Sequence, residues 1–461
     1  MLERFAEADL KKWIEKKNRK PLILRGARQV GKSTLVRLFA KSNNYILHEI
    51  NLEKHLYLNK IFKTLDIPRI IRELEAVIGT NILGKNALIF LDEIQATPYA
   101  LQALRYFYEE KPELAVIAAG SLLEFTLSDH SFSMPVGRVE YYHLGPMTFK
   151  EFLVSIEPPL EKYLSDFSLE TGIPDAAHRK LLNRQRDYLF VGGMPEAVHT
   201  FCHDGSITDV TDVHRSIADT YQDDFSKYAR AKELALLQQI FRYIPRTIGQ
   251  KIKYSNISRE QRSGDIKAAI ELFSKAGICH KIYHSHCSGI PLFADIREKT
   301  YKLLFMDIGM VNHICGNDWM TIQSFEDTRL VNEGALAEQF IGQHLIRYKK
   351  QAPGLCYWLR EAKTANAEVD YVISYGPLIL PIEVKAGKSG SLKSLQQFVI
   401  YKRPEYAVRF DLNPPGLQDV SHKASTLKGI ESVEFKLLSL PLYMVEELPR
   451  IIDLLRYQRY G

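Results

Sequence analysis

The chain has 461 residues, 46% hydrophobic and 25% charged, with a formal net charge of +6. That length exceeds what one core organises, so roughly two to four domains are expected, and the composition excludes a disordered or low-complexity protein. The mild positive excess admits a nucleic-acid partner without requiring one, because scattered solvated Lys and Arg give the same figure.

The N-terminal "MLERFAEADLKKWIEKKNRK" is charged throughout rather than signal-like. No apolar run approaches the ~20 residues that span a bilayer, so no membrane partner is expected. Next comes "PLILRGARQVGKSTLVRLFAKS", which places Gly26-x4-Gly31-Lys32-Ser33 between a short apolar strand and a helical pattern. Glycines let backbone N–H groups curl around phosphate oxygens, and the helix N-terminus adds its positive dipole end. Lys32 reaches the β- and γ-phosphates of ATP, Ser33 offers a hydroxyl to Mg2+, and Thr34 joins Gly26 and Gly31 as a nucleotide-binding residue.

The run "NALIFLDEIQ" reads as a buried strand ending in Asp92 and Glu93. Asp92 is expected to hold the metal through water, and Glu93 to activate the attacking water. A third strand, "LAVIAAGSLLEF", ends at Gly120-Ser121, which makes Ser121 a candidate γ-phosphate sensor. Arg138, in "VGRVEYYHLGPMTFKEF", reads either as a phosphate ligand in its own or a neighbouring subunit or as a surface ion pair.

The order "GARQVGKST", "LIFLDEIQ", "AAGSLLEF", "VGRVEYYHLGPMTFKEF" and "VGGMPEAV" resembles a large prokaryotic family of AAA-type ATPases related to the signal-transduction NTPases. The resemblance continues through "YKLLFMDIGMVNHICG" and "NEGALAEQFIGQHL" to "IEVKAG". It implies ATP hydrolysis, a winged-helix middle and a C-terminal domain of unknown function.

Residues 155–205 read as helical, with a turn at Gly192, Gly193 and Pro195, and are expected to form a lid over the nucleotide. In "ELALLQQIFRYIPRTIG" and "ISREQRSGDIKAAIELFSKAGICHKIYH", an apolar-faced helix, a turn at Ser263-Gly264, a helix from Asp265 and a strand after Gly277 follow the layout of a winged helix. Lys251, Lys253, Arg259, Arg262 and Lys267 cluster there. Each phosphate they contacted on a duplex would add about 0.9 to the salt slope. Such modules also bind proteins, so DNA and a protein partner both stand. Cys279, His280, His284, His286 and Cys287 have zinc-like spacing, but period-2 alternation divides Cys279 from the three histidines, and a hairpin is the expected account. The five cysteines, at 202, 279, 287, 315 and 356, show no framework spacing and read as reduced thiols of a cytoplasmic protein.

"RLVNEGALAEQFIGQHLIRYK" reads as a helix with Leu336, Phe340, Ile341 and Leu345 on one stripe and Glu338 at its border. Strands follow in "GLCYWLR", "AEVDYVISYG" and "LILPIEVKAG", then a helix in "SLKSLQQFVIYKR". Glu383 and Lys385, two apart, share a strand face, and Asp370 lies on the preceding strand. Helix, strand meander and helix carrying Glu, Asp and Glu-x-Lys resemble the PD-(D/E)xK nuclease superfamily, especially its Holliday-junction-resolvase-like branch. That resemblance implies a Mg2+ site from Asp370, Glu383 and Glu338, with Lys385 positioning or deprotonating the attacking water. Val369 stands where the signature proline belongs, and Glu368 shares a strand face with Asp370.

The expected class is α/β: a P-loop parallel-sheet ATPase core at 1–154, a helical lid at 155–205, a winged-helix-like domain at 206–320 and a restriction-endonuclease-like domain at 325–461. Three functions remain open. One is ATP turnover coupled to DNA binding or Mg2+-dependent cleavage. Another is a nucleotide-driven switch whose nuclease-like fold binds a partner without catalysis. The last is an oligomeric remodeller with Arg138 acting between subunits.

Overall fold

A computed structural model describes residues 2–120, 137–228, 231–323, 333–348, 354–361, 366–388, 390–426 and 429–460. Five short aliphatic runs form the first sheet: β1 (Leu22–Arg25), β2 (Ile46–Asn51), β3 (Ala87–Asp92), β4 (Ala115–Ala119) and β5 (Glu140–His143). Their order is β2-β3-β4-β1-β5, and every pairing is parallel. Strands β3 and β4 are buried throughout, which is why their sequences are unbroken apolar runs rather than alternating ones. Because β1 lies inside the sheet, the loop leaving its C-terminal end emerges mid-edge, level with the end of β3.

A helical region follows, including Phe149–Ile156, Pro158–Ser165, Asp175–Val191, Pro195–Asp204, Ile207–Tyr228 and Ala231–Arg246. The first of these starts at a reciprocal cap. The Thr148 hydroxyl accepts the Glu151 N–H at 3.3 Å, and the Glu151 carboxylate accepts the Thr148 N–H at 2.9 Å. Thr148→Ala is therefore expected to lower unfolding free energy by about 1 kcal/mol, read as a shifted urea midpoint with unchanged slope.

The second sheet is mixed and holds eight strands in the order β12-β13-β11-β10-β9-β8-β6-β7. These are β6 (Cys279–Ser285), β7 (Ile296–Phe305), β8 (Cys356–Arg360), β9 (Ala367–Tyr375), β10 (Leu378–Val384), β11 (Tyr406–Asp411), β12 (Gly416–Thr426) and β13 (Gly429–Pro441). Helices Tyr254–Ile257 and Ser263–Lys275 precede the antiparallel β6–β7 hairpin, in the order read from the sequence. The second helix begins at Ser263 rather than Asp265, because Arg262 already takes the extended backbone of an N-cap.

The hairpin is not free-standing. β6 pairs in parallel with β8, Tyr283 opposite Cys356 and His284 opposite Tyr357, so one sheet runs from the middle of the chain into its C-terminal part. A register shift between Tyr283 and His284 also breaks the alternation expected along β6. His284 is buried and accepts the Leu359 N–H, while His286 accepts from Arg297.

Packing unites the parts. The predicted stripe of Leu336, Phe340, Ile341 and Leu345 is buried on helix Glu333–Tyr348. Phe340 meets Phe149 and Tyr188 in edge-on contacts within an apolar cluster that runs from Ala6 to Ile452. Among the described residues no helix is long and apolar enough to cross a membrane.

Candidate nucleotide pocket and acidic site

The loop from β1 to helix Lys32–Ser42 is built on two glycines. Gly26 has φ +138°, and a Cβ there would fall 1.8 Å from the Leu144 carbonyl oxygen at the end of β5. Gly31 takes φ +88°, a left-handed turn that opens the helix N-terminus. The Lys32 ammonium, 7% exposed, donates to the Gly26 and Ala27 carbonyls at 3.0 and 2.8 Å. Burial lowers its pKa to about 8, against the pull of Glu93 and Asp92. Those two carbonyls hold the ammonium inside the loop.

Ser33 donates its hydroxyl to the Asp92 carboxylate at 2.8 Å. Burial raises the Asp92 pKa while the Ser33 bond opposes the rise. A hydroxyl and a carboxylate side by side at a phosphate loop are the oxygen donors that Mg2+ requires, so these residues fit that ion. Glu93 adopts φ +51°, a strained conformation for a residue with a Cβ, and its carboxylate accepts from Gln95 at 2.5 Å. Gly31, Lys32, Ser33, Thr34, Asp92 and Glu93 line one cavity of about 660 Å³, the size range of small-ligand sites. Pro195, Glu196 and His199 from the next helical segment close its far side.

Arg138 lies elsewhere, in a half-exposed ion pair with Glu109 at 2.8 Å. Ser121 falls outside the described residues.

Three supporting side chains escaped the sequence reading. Arg4 donates to the Val30 carbonyl of the phosphate loop, to the Gly145 carbonyl and to Glu151. Arg28 pairs with buried Asp224, latching the loop to helix Ile207–Tyr228. Asp307 accepts the Gly193 N–H at 2.6 Å and caps helix Ile308–Cys315, which fixes the turn ahead of Pro195. An arginine in a charged N-terminal stretch carries no local mark of such a role. The Asp307-x-Gly309 turn, after an apolar strand, is at least a recognisable cap.

The acidic site lies in the second sheet. Asp370 on β9 accepts the Val384 N–H of β10 at 2.8 Å, and the Lys385 ammonium meets Glu383 at 2.6 Å, so Asp370, Glu383 and Lys385 are brought together. Glu338 arrives from helix Glu333–Tyr348, which packs against β10 and β7. All three carboxyls are pushed up in pKa. Burial is the first cause in each, with neighbouring carboxylates adding and lysines opposing.

A second lysine sits among them that the sequence reading missed. Lys302 of β7 is 3% exposed, in contact with Glu368 and 3.6 Å from Glu338. Burial works against its charge, but Glu338, Glu368 and Asp370 outweigh burial and raise its pKa. Among the described residues no group of three or more His, Cys, Asp or Glu side chains is placed to hold a metal ion. Lys302 supplies a fixed positive charge to the acidic site as arranged.

A chain of contacts leads from the acidic site to the phosphate loop. Helix Glu333–Tyr348 carries Glu338 near one end, and near the other His344 accepts the Phe149 N–H at 2.9 Å. Helix Phe149–Ile156 in turn carries Glu151, the partner of Arg4, which donates to the Val30 carbonyl of the phosphate loop. On the middle segment, Lys251 is paired with Glu361, whereas Lys253, Arg259, Arg262 and Lys267 are exposed.

Comparison with known families matches an AAA domain over residues 18–153, a domain of unknown function (DUF8612) over 182–321 and another (DUF4143) over 333–423. The chain thus carries an AAA-type ATPase domain at its N-terminus, ahead of two domains of unknown function. No curated protein matches. Among solved structures, a Walker-type ATPase of Pyrococcus abyssi is similar at 15% identity and TM-score 0.43, covering 68% of this chain and 96% of its own. The ORC2 protein of Aeropyrum pernix, in ADPNP and ADP complexes, is similar at 12% identity and TM-score 0.34, covering 69% and 93%.

Proposed function

We propose that the chain hydrolyses ATP in the pocket of Lys32, Asp92 and Glu93, and that this cycle governs how its middle and C-terminal parts engage DNA. The observation that carries the reading is the Ser33–Asp92 hydrogen bond beside a Lys32 ammonium held by backbone carbonyls. In this reading Gly31, Ser33 and Thr34 cradle phosphates with their N–H groups, and Lys32 shifts from the carbonyls to the β- and γ-phosphates. Ser33 and Asp92 hold Mg2+, which when bound neutralises charge developing on the phosphates. Glu93 orients the attacking water. Arg138 would serve a neighbouring subunit after releasing Glu109, and Ser121 would sense the γ-phosphate.

The DNA side of the reading rests on the exposed Lys253, Arg259, Arg262 and Lys267 in a winged-helix-like arrangement, and on Asp370, Glu383 and Lys385 meeting in a PD-(D/E)xK-like order. The chain of contacts from helix Glu333–Tyr348 through helix Phe149–Ile156 and Arg4 to the phosphate loop supports coupling between the two sites. The deciding assay incubates the full chain with duplex, single-stranded and branched DNA, with Mg2+ or Mn2+, with and without ATP. Cleavage lost in Lys385→Ala and altered in Lys32→Ala is the expected result. If every DNA stays intact and unbound in all arms, the DNA reading fails while ATP turnover can still stand.

Lys302 favours a second reading. With a lysine among the carboxylates, the C-terminal fold suits a nucleotide-driven switch that binds a partner without cutting. Under that reading Glu383→Ala leaves partner binding unchanged.

A further inference from the structure

The acidic site contains a cation that comes from outside the C-terminal part of the chain. Strand β7 is extended and antiparallel to β6, and its inner half from Tyr301 to Phe305 is buried. Lys302 is the charged residue in that half. An apolar strand tolerates a buried lysine only where anions and hydrogen-bond acceptors receive its ammonium. Here Glu368 of β9 touches it, Glu338 of the neighbouring helix lies 3.6 Å away, and the Tyr357 ring of β8 sits 5.1 Å beneath it. Three elements therefore converge on the ammonium that β7 carries.

The Lys302 ammonium and two carboxylate oxygens nearby, Glu338 Oε2 and Glu383 Oε2, are buried without hydrogen-bond partners among the described residues, so the lysine meets Glu338 as an ion pair rather than a hydrogen bond. Glu383 itself is 4% exposed. Oxygens in that state retain capacity for a cation. Lys302 draws Glu338 and Glu368 toward a monovalent charge fixed by the backbone of β7, which a divalent ion would have to share or displace.

We infer that Lys302 is a tethered counter-ion that competes with divalent metal for Glu338 and its neighbouring carboxylates, and so keeps the acidic site closed to Mg2+ in the resting chain. This goes beyond the DNA reading. It concerns cation binding alone and is read without any nucleic acid, so absence of cleavage leaves it standing.

The test titrates the full-length protein with Mn2+ in the absence of nucleotide, following free Mn2+ by electron paramagnetic resonance. Wild type is expected to bind Mn2+ weakly. Lys302→Gln should tighten binding about tenfold or more, since a positive charge next to the ion is removed, and adding Asp370→Asn should abolish that gain. Lys302→Arg, which keeps the charge, should behave as wild type. Equal Mn2+ affinity in Lys302→Gln and wild type overturns the inference.

Should the neutral variant not fold, wild type and Asp370→Asn still decide. The wild-type melting midpoint is expected to be indifferent to Mg2+ and to chelator without nucleotide. A Mg2+-dependent rise that disappears in Asp370→Asn overturns the idea.

Discussion

Lys32→Ala is expected to lower ATP turnover by about 100-fold or more while leaving the fold intact. The ammonium is the buried positive charge at the mouth of the phosphate loop, and preorganised charges aimed at a transferring phosphoryl group are typically worth about 10²–10³ in rate. Folding should survive because Lys32 is the first residue of its helix and its partners are two carbonyls that water can satisfy. Alanine is also a good helix former.

The measurement is steady-state ADP release, with thermal melting as the fold control. Glu93→Gln makes the contrast: it should keep ATP binding and lose turnover, because it removes a base without removing a phosphate ligand. Unchanged turnover in Lys32→Ala would mean that the pocket does not hydrolyse ATP.

Phe149→Ala carries the largest expected loss of stability, roughly 3–5 kcal/mol. The ring is fully buried, stacked on Phe152 at 6.4 Å and edge-on to Tyr188 at 5.7 Å and Phe340 at 6.0 Å. Those partners lie on its own helix, on helix Asp175–Val191 and on helix Glu333–Tyr348. Truncation therefore opens a void where all three meet. Denaturant unfolding should remain one transition whose midpoint falls for every probe at once, and Phe149→Leu should lose much less. If the C-terminal sheet melts at its wild-type midpoint in Phe149→Ala, the shared core is not cooperative.

What was legible in the sequence was local. A glycine-rich turn between a strand and a helix, or two carboxylates closing an apolar run, announces itself within a dozen residues. So does Glu383 two positions before Lys385. Lys302 could not be read this way. "TYKLLFMD" fixes which residues share a strand face, but not which strand comes alongside, and only the β6–β8 pairing together with helix Glu333–Tyr348 brings Glu338 and Glu368 to that lysine. Arg4 is equally silent, because its three acceptors lie between 26 and 147 residues downstream. The alternation expected along "CHKIYHSH" fails at a bulge that nothing in those residues signals.

The bond between β6 and β8 has a consequence for how this architecture can be inherited. A gene fragment starting after residue 325 would encode β8 through β13 with one flank of β8 stripped of its companion, leaving a row of bare amides open to adhesion. Such a fragment would need that flank of β8 paired, covered or charged, and it would lack Lys302, which sits on β7.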